Sequence, residues 1–147
     1  MKLIKDFNHK KILSLFLKQD GSPLFNAKGI AVGVFCGCFP FFGLQTVLGL
    51  LLAKILKGNL LLAAIGTWIS NPLTYIPLYY FNYKVGSIFL KNSPNTINHK
   101  ILDINSLWHQ GSIFSIRLIL GSAFVGILLA LISGFIIFLF YKIKRRI

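Results

Sequence analysis

The chain has 147 residues, 55% of them hydrophobic, and a formal charge of +13 from 16 Lys and Arg against 3 Asp and Glu. That much apolar surface exceeds what a soluble domain of this length can hide, so the excess must face lipid or a partner. The positive charge would suit nucleic acid in a soluble protein, but here it flanks apolar windows and no nucleic-acid motif accompanies it, which points away from that class.

Charged residues avoid three windows, 29–53, 59–83 and 118–141, of 25, 25 and 24 residues. A hydrocarbon core about 30 Å thick takes about 20 apolar residues as a helix, so each window is long enough to cross one. The expected fold is all-α: a multi-pass integral membrane protein with two interrupted helical segments, broken or re-entrant, and one continuous transmembrane helix. Residues 1–28 form a basic cytoplasmic N-terminal segment, and residues 29–147 form a single membrane domain.

The N-terminal segment carries Lys2, Lys5, Lys10, Lys11, Lys18 and Lys28. It does not read as a cleaved signal peptide, because the apolar run 12–17 stops at Lys18 with no small-residue cleavage site. A short cytoplasmic helix or a frayed tail is expected there, since the apolar face falls out of register after Lys10 and Lys11.

Ser22-Pro23 marks a helix start, with serine as N-cap and proline at the first helical position. Gly29, Gly33 and Gly37 then recur at i+4 on one face, where a second helix can approach closely. Pro40 and Gly43 break this helix within CGCFPFFG, residues 36–43. A second piece runs to Lys57, so 29–57 is a broken helix or a re-entrant hairpin. Cys36 and Cys38 read as small buried thiols, since two ligands are too few for the usual metal sites.

The segment 59–90 begins with Asn59 as N-cap and is helical to about Ser70, with Asn59, Ala63, Thr67 and Asn71 repeating every four residues. This small, polar face should meet protein or water. Pro72 ends that piece, and Asn71 caps a new helix by accepting the amide of Leu73 or Thr74. Tyr75, Tyr79, Tyr80 and Tyr83 look like interfacial anchors. Residues 91–112 form a polar connector with His99, Asp103, Trp108 and His109 and a short helix around 101–108. The transmembrane helix 117–141 carries Ser122, Gly126, Ala130 and Gly134 at i+4, expected to pack on the glycine face of the first helix. Residues 142–147 are a basic tail.

If the first window turns back as a re-entrant hairpin, twelve of the 16 basic residues fall on the cytoplasmic side and four outside. The positive-inside rule favours that topology.

The stretches GVFCGCFPFFGLQT, residues 33–46, and GNLLLAAIGTWISNPLTYIPLYYFNYKVG, residues 58–86, resemble a bacterial membrane-protein family catalogued as domain of unknown function 2062. The resemblance is closest over 29–86, and its most specific part is the run into TWISNPLT. It brings no mechanism. Some relatives are joined to glycosyltransferase modules that work on polyprenyl-phosphate carriers, which implies envelope glycan or lipid metabolism by association.

No enzyme is expected: the acids Asp6, Asp20 and Asp103 lie outside the windows, and no catalytic triad, metal cluster or phosphate loop occurs. No cofactor and no metal are implied. Two readings stand side by side. In the first, the breaks expose helix N-termini at membrane depth and bind or transport an anionic, polyprenyl-phosphate-like lipid headgroup. Amides of residues 42–45 and 73–75 and the side chains of Gln45, Thr46, Ser70, Asn71 and Thr74 would hold it, with Lys54, Lys57, Lys84 or Arg117 adding charge. In the second, the breaks are architecture, and the protein is a non-catalytic scaffold or anchor for a membrane enzyme, or an oligomeric channel. The expected partners are therefore membrane lipids, a membrane enzyme or further copies of the chain, and not nucleic acid.

Overall fold

The computed structural model describes residues 21–41, 43–90 and 104–146, with the backbone alone for 104–110. Five helices and no strand occur among the described residues: α1 Pro23–Gly37, α2 Leu44–Ile55, α3 Leu60–Thr67, α4 Tyr75–Phe89 and α5 Ile104–Lys144. The expectations for residues 1–20, and for His99 and Asp103 in the connector, lie outside the described residues.

α5 is the spine. Its 41 residues run about 62 Å at about 1.5 Å per residue. Gly111–Lys144 is the one helix, among the described residues, long and apolar enough to cross a membrane. It extends beyond the expected 117–141, because residues 104–112 of the connector continue the same helix rather than forming a separate short one.

α1 begins as its local chemistry dictates: Ser22 Oγ accepts the amide of Phe25 at 3.2 Å and Pro23 occupies the first turn. The chain leaves α1 at Cys38 and enters α2 through Gly43, whose φ of 81° is a left-handed conformation that favours glycine. α1 and α2 hold 15 and 12 residues, about 22 and 18 Å, each shorter than a hydrocarbon core. They form a hairpin whose open ends meet, with Lys28 Nζ donating to the carbonyl of Leu56 at 3.4 Å.

α2 closes with paired C-terminal bonds, Lys57 N to Lys54 O at 3.2 Å and Gly58 N to Ala53 O at 2.7 Å. A lysine, not a glycine, takes the left-handed position here, with φ of 51°. Gly58 is needed one residue later, where a Cβ would sit 2.9 Å from the Gly29 amide nitrogen.

α3 runs parallel to α1. A Cβ on Gly29 would strike the Asn59 carbonyl, one on Gly33 the Ala63 carbonyl, and one on Gly37 would come 3.0 Å from the Thr67 carbonyl. The glycine face of α1 therefore packs on the small face of α3, not on the small-residue stripe of α5 as the spacing predicted. That stripe meets the adjoining face of α1: Gly126 lies against Phe35 and Cys38, and Gly134 against Ala27 and Ala31. Each step toward the α5 C-terminus thus matches a step toward the α1 N-terminus, so the two helices are antiparallel. Ile30, Val34, Leu62 and Tyr141 form the core, with Ile65, Ile69, Leu129 and Ile137 packed on it.

α4 covers the other half of α5. A Cβ on Gly86 would strike the Arg117 carbonyl and one on Gly121 the Asn82 carbonyl, so the two backbones touch as they cross. Beside the apolar core the interior holds polar side chains, and the outside is apolar. Asn26, Gln45, Asn59, Thr67, Asn82 and Ser122 are buried, while Leu73 is 88% and Ile76 81% exposed.

This arrangement sorts charge. Lys28, Lys54 and Lys57 stand at the open end of the hairpin, and the antiparallel α5 brings Lys142, Lys144, Arg145 and Arg146 to that same end.

Candidate functional site: the junction of the helix breaks

Both interruptions lie at the end of the bundle remote from the lysines, because α1 and α3 run parallel and stop together. Gln45 and Ser70 meet directly, Nε2 donating to Oγ at 2.9 Å. Thr46 Oγ1 lies 3.2 Å from Thr67 Oγ1. The Thr67 hydroxyl is directed to the Ala64 carbonyl at 2.7 Å, so Thr46 is the donor of that pair. Ser70 Oγ in turn donates to the Thr67 carbonyl at 3.4 Å.

Asn71 and Thr74 serve their own turn. Asn71 Oδ1 accepts the amides of Leu73 at 2.9 Å and Thr74 at 3.1 Å, the capping bonds that Asn-Pro predicts. The Asn71 carbonyl takes the amide of Tyr75 at 3.0 Å. Thr74 Oγ1 accepts the Asn71 amide at 2.9 Å and donates to the Ile69 carbonyl at 2.7 Å. Pro72 lies in this turn and regular helix starts at Tyr75, three residues later than the sequence suggests.

Of the amides expected to wait for an anion, those of Leu73, Thr74 and Tyr75 are held by Asn71 and that of Gln45 by the Phe41 carbonyl at 3.0 Å, while Phe42 lies outside the described residues. Nor do the basic side chains approach. Lys54 and Lys57 end α2 at the opposite end, about a full α2 length of 18 Å away. Lys84 sits 4.7 Å from the centre of the Tyr80 ring. Arg117, buried in α5, donates to Tyr83 Oη and to the Leu90 carbonyl, both at 3.2 Å. Its charge thus closes the C-terminal end of α4, where free carbonyls attract cations.

Asn82 belongs to the junction although its sequence context did not single it out. Fully buried, it donates through Nδ2 to the Cys38 carbonyl and to Ser122 Oγ, both at 3.0 Å, and so ties α4, the end of α1 and α5 together. Its signal is a lone amide in an apolar run, four residues before Gly86 at the backbone crossing. Tyr79 adds a bond to the Phe39 carbonyl at 3.2 Å, so this tyrosine points inward, while Tyr80 stays exposed. A second asparagine pair closes the lysine end: Asn59 Nδ2 donates to Asn26 Oδ1 at 2.8 Å while Asn59 Oδ1 caps α3 through Leu61 and Leu62.

Two buried side-chain oxygens at the junction, Gln45 Oε1 and Asn82 Oδ1, accept no hydrogen bond. Cys36 and Cys38 are free and buried, and no cluster of three or more metal-binding side chains occurs among the described residues.

The family described as an uncharacterized protein conserved in bacteria, domain of unknown function 2062, matches residues 9–147. No curated protein and no solved structure matches the chain.

Proposed function

The chain belongs to that bacterial family, and since its description names no activity, we propose from geometry that the protein is a non-catalytic scaffold or anchor of the inner membrane. The observation that carries this reading is the closure of the junction. Gln45 bonds Ser70, Thr46 bonds Thr67, Asn71 takes the turn amides, and Asn82 ties three elements. Irregular backbone at membrane depth is tolerated where it is buried in protein or lines a cavity, and here each of these side chains has a protein partner, although Gln45 Oε1 and Asn82 Oδ1 accept no bond.

The topology follows the same logic. α5 crosses the bilayer, α1 and α2 enter and leave by one face as a re-entrant hairpin, and α3 with α4 makes a broken crossing. Support comes from the shared end of Lys28, Lys54, Lys57 and the 142–146 cluster, which the positive-inside rule assigns to the cytoplasm, and from half-length helices that do not span alone. The exposed apolar faces of α2, α4 and α5 would meet lipid or the partner enzyme.

The test is Asn71→Leu, paired with reconstitution. A scaffold with architectural breaks loses folded protein in this variant, and the wild type moves no labelled polyprenyl phosphate beyond empty liposomes. Translocation above empty liposomes, together with a folded but inactive Asn71→Leu, would instead establish a transport site at the breaks.

A further inference from the structure

On the outside of the bundle α1 and α5 leave between them a groove of about 730 Å³. Its floor is Ala27, Ala31, Ala130 and Gly134, side chains too short to fill the space between the two helices. Phe135 and Phe138 wall it, and Lys28 lines it between Leu24 and Ala31, its ammonium 3.4 Å from the Leu56 carbonyl. Lys142 stands over the Phe138 ring, its ammonium 5.7 Å from the ring centre. The groove is thus an apolar trough with Lys28 partway along it and Lys142 beside Phe138 toward the end where the basic residues gather.

We propose that this groove seats one anionic phospholipid, an acyl chain over the alanine and glycine floor and the phosphate at Lys28 and Lys142. Charge complementarity selects this occupant. Basic pockets beside membrane helices on the cytoplasmic side suit anionic headgroups, and a tail that lies along the floor places the headgroup at the lysines. The two other occupants conflict with the charge. A second copy inserted with the same topology would bring its own lysine end to these lysines. Residues 1–20 carry Lys2, Lys5, Lys10, Lys11 and Lys18 against Asp6 and Asp20, a net positive segment beside a positive site. The inference rests on the membrane setting proposed above, but it does not depend on what the junction does.

The experiment is native mass spectrometry of the full chain released from vesicles of equal phosphatidylglycerol and phosphatidylethanolamine. One phosphatidylglycerol per chain is expected, falling about fivefold for each of K28Q and K142Q, with thermal stability unchanged in K142Q. Ala130→Phe fills the trough without touching charge and should expel the lipid whatever its headgroup. Equal retention of the two lipids, or retention unmoved by the lysine and Ala130 variants, overturns the proposal. So does a dimer without bound lipid that Ala130→Phe dissociates, or a crosslink from residues 1–20 into the trough that persists when lipid is supplied. Failure here with a still-closed junction leaves the scaffold reading standing, whereas polyprenyl phosphate translocation with intact lipid retention removes only that reading.

Discussion

The junction of the breaks and the groove between α1 and α5 lie at opposite ends of one short hairpin, and they treat polarity in opposite ways. At the junction, buried amides and hydroxyls bond one another and no lysine or arginine approaches. At the groove, apolar walls stay open and the lysines stand at the rim. In lipid an unsatisfied polar group is costly, so polar residues inside the bundle work first as fasteners. Recognition of a charged ligand then falls to the edge, where cations keep their hydration until a partner arrives.

The contrast can be broken most severely at the backbone crossing that carries the junction. Gly86→Val places a methyl-bearing carbon on the Arg117 carbonyl, with no side chain in between to yield. We expect loss of folded protein, read as failed accumulation in membranes and a polydisperse profile in detergent. Next comes Asn82→Leu, which strips bonds from the Cys38 carbonyl and from Ser122 within a buried site. Leaving a buried partner unsatisfied costs about 1–3 kcal/mol, and a lowered midpoint of thermal unfolding in detergent measures it.

Gln45→Leu should be milder. It loses the 2.9 Å bond to Ser70 but also removes an oxygen that accepts nothing. These effects oppose one another, so a change under about 1 kcal/mol is expected, with lipid retention unaltered. If that oxygen faced a ligand, the variant would instead stay stable and lose its activity in cells. The smallest effect on stability belongs to Lys142→Gln, an exposed residue expected to change it by under about 0.5 kcal/mol, whose lipid retention should respond to salt.

Local chemistry was legible in the sequence. Ser22 and Asn59 cap their own helix starts and Asn71 closes the turn after the break, and each has a short side chain whose oxygen takes amides two or three residues on. The breaks at Pro40 and Pro72 follow from a missing donor and need no tertiary knowledge. Pairing was not legible. Small-residue stripes at i+4 are interchangeable as surfaces, so nothing in the spacing of Gly29, Gly33 and Gly37 says whether α3 or α5 will meet them. The Gln45–Ser70 and Asn82–Cys38 bonds join residues far apart in the chain, and only the hairpin brings them together. The Asn71 oxygen that the sequence places on the Leu73 or Thr74 amide takes both, so an anion would compete with that oxygen for those amides.

Hydrogen exchange at Leu73, Thr74 and Tyr75 in the reconstituted protein, with and without a short-chain polyprenyl phosphate, tests the closed junction most directly. Amides held by Asn71 should exchange slowly from the outset and keep the same rates when the phosphate is added. Fast exchange that slows on adding the phosphate would mean that these amides belong to a ligand, and the account of the junction as architecture would be contradicted.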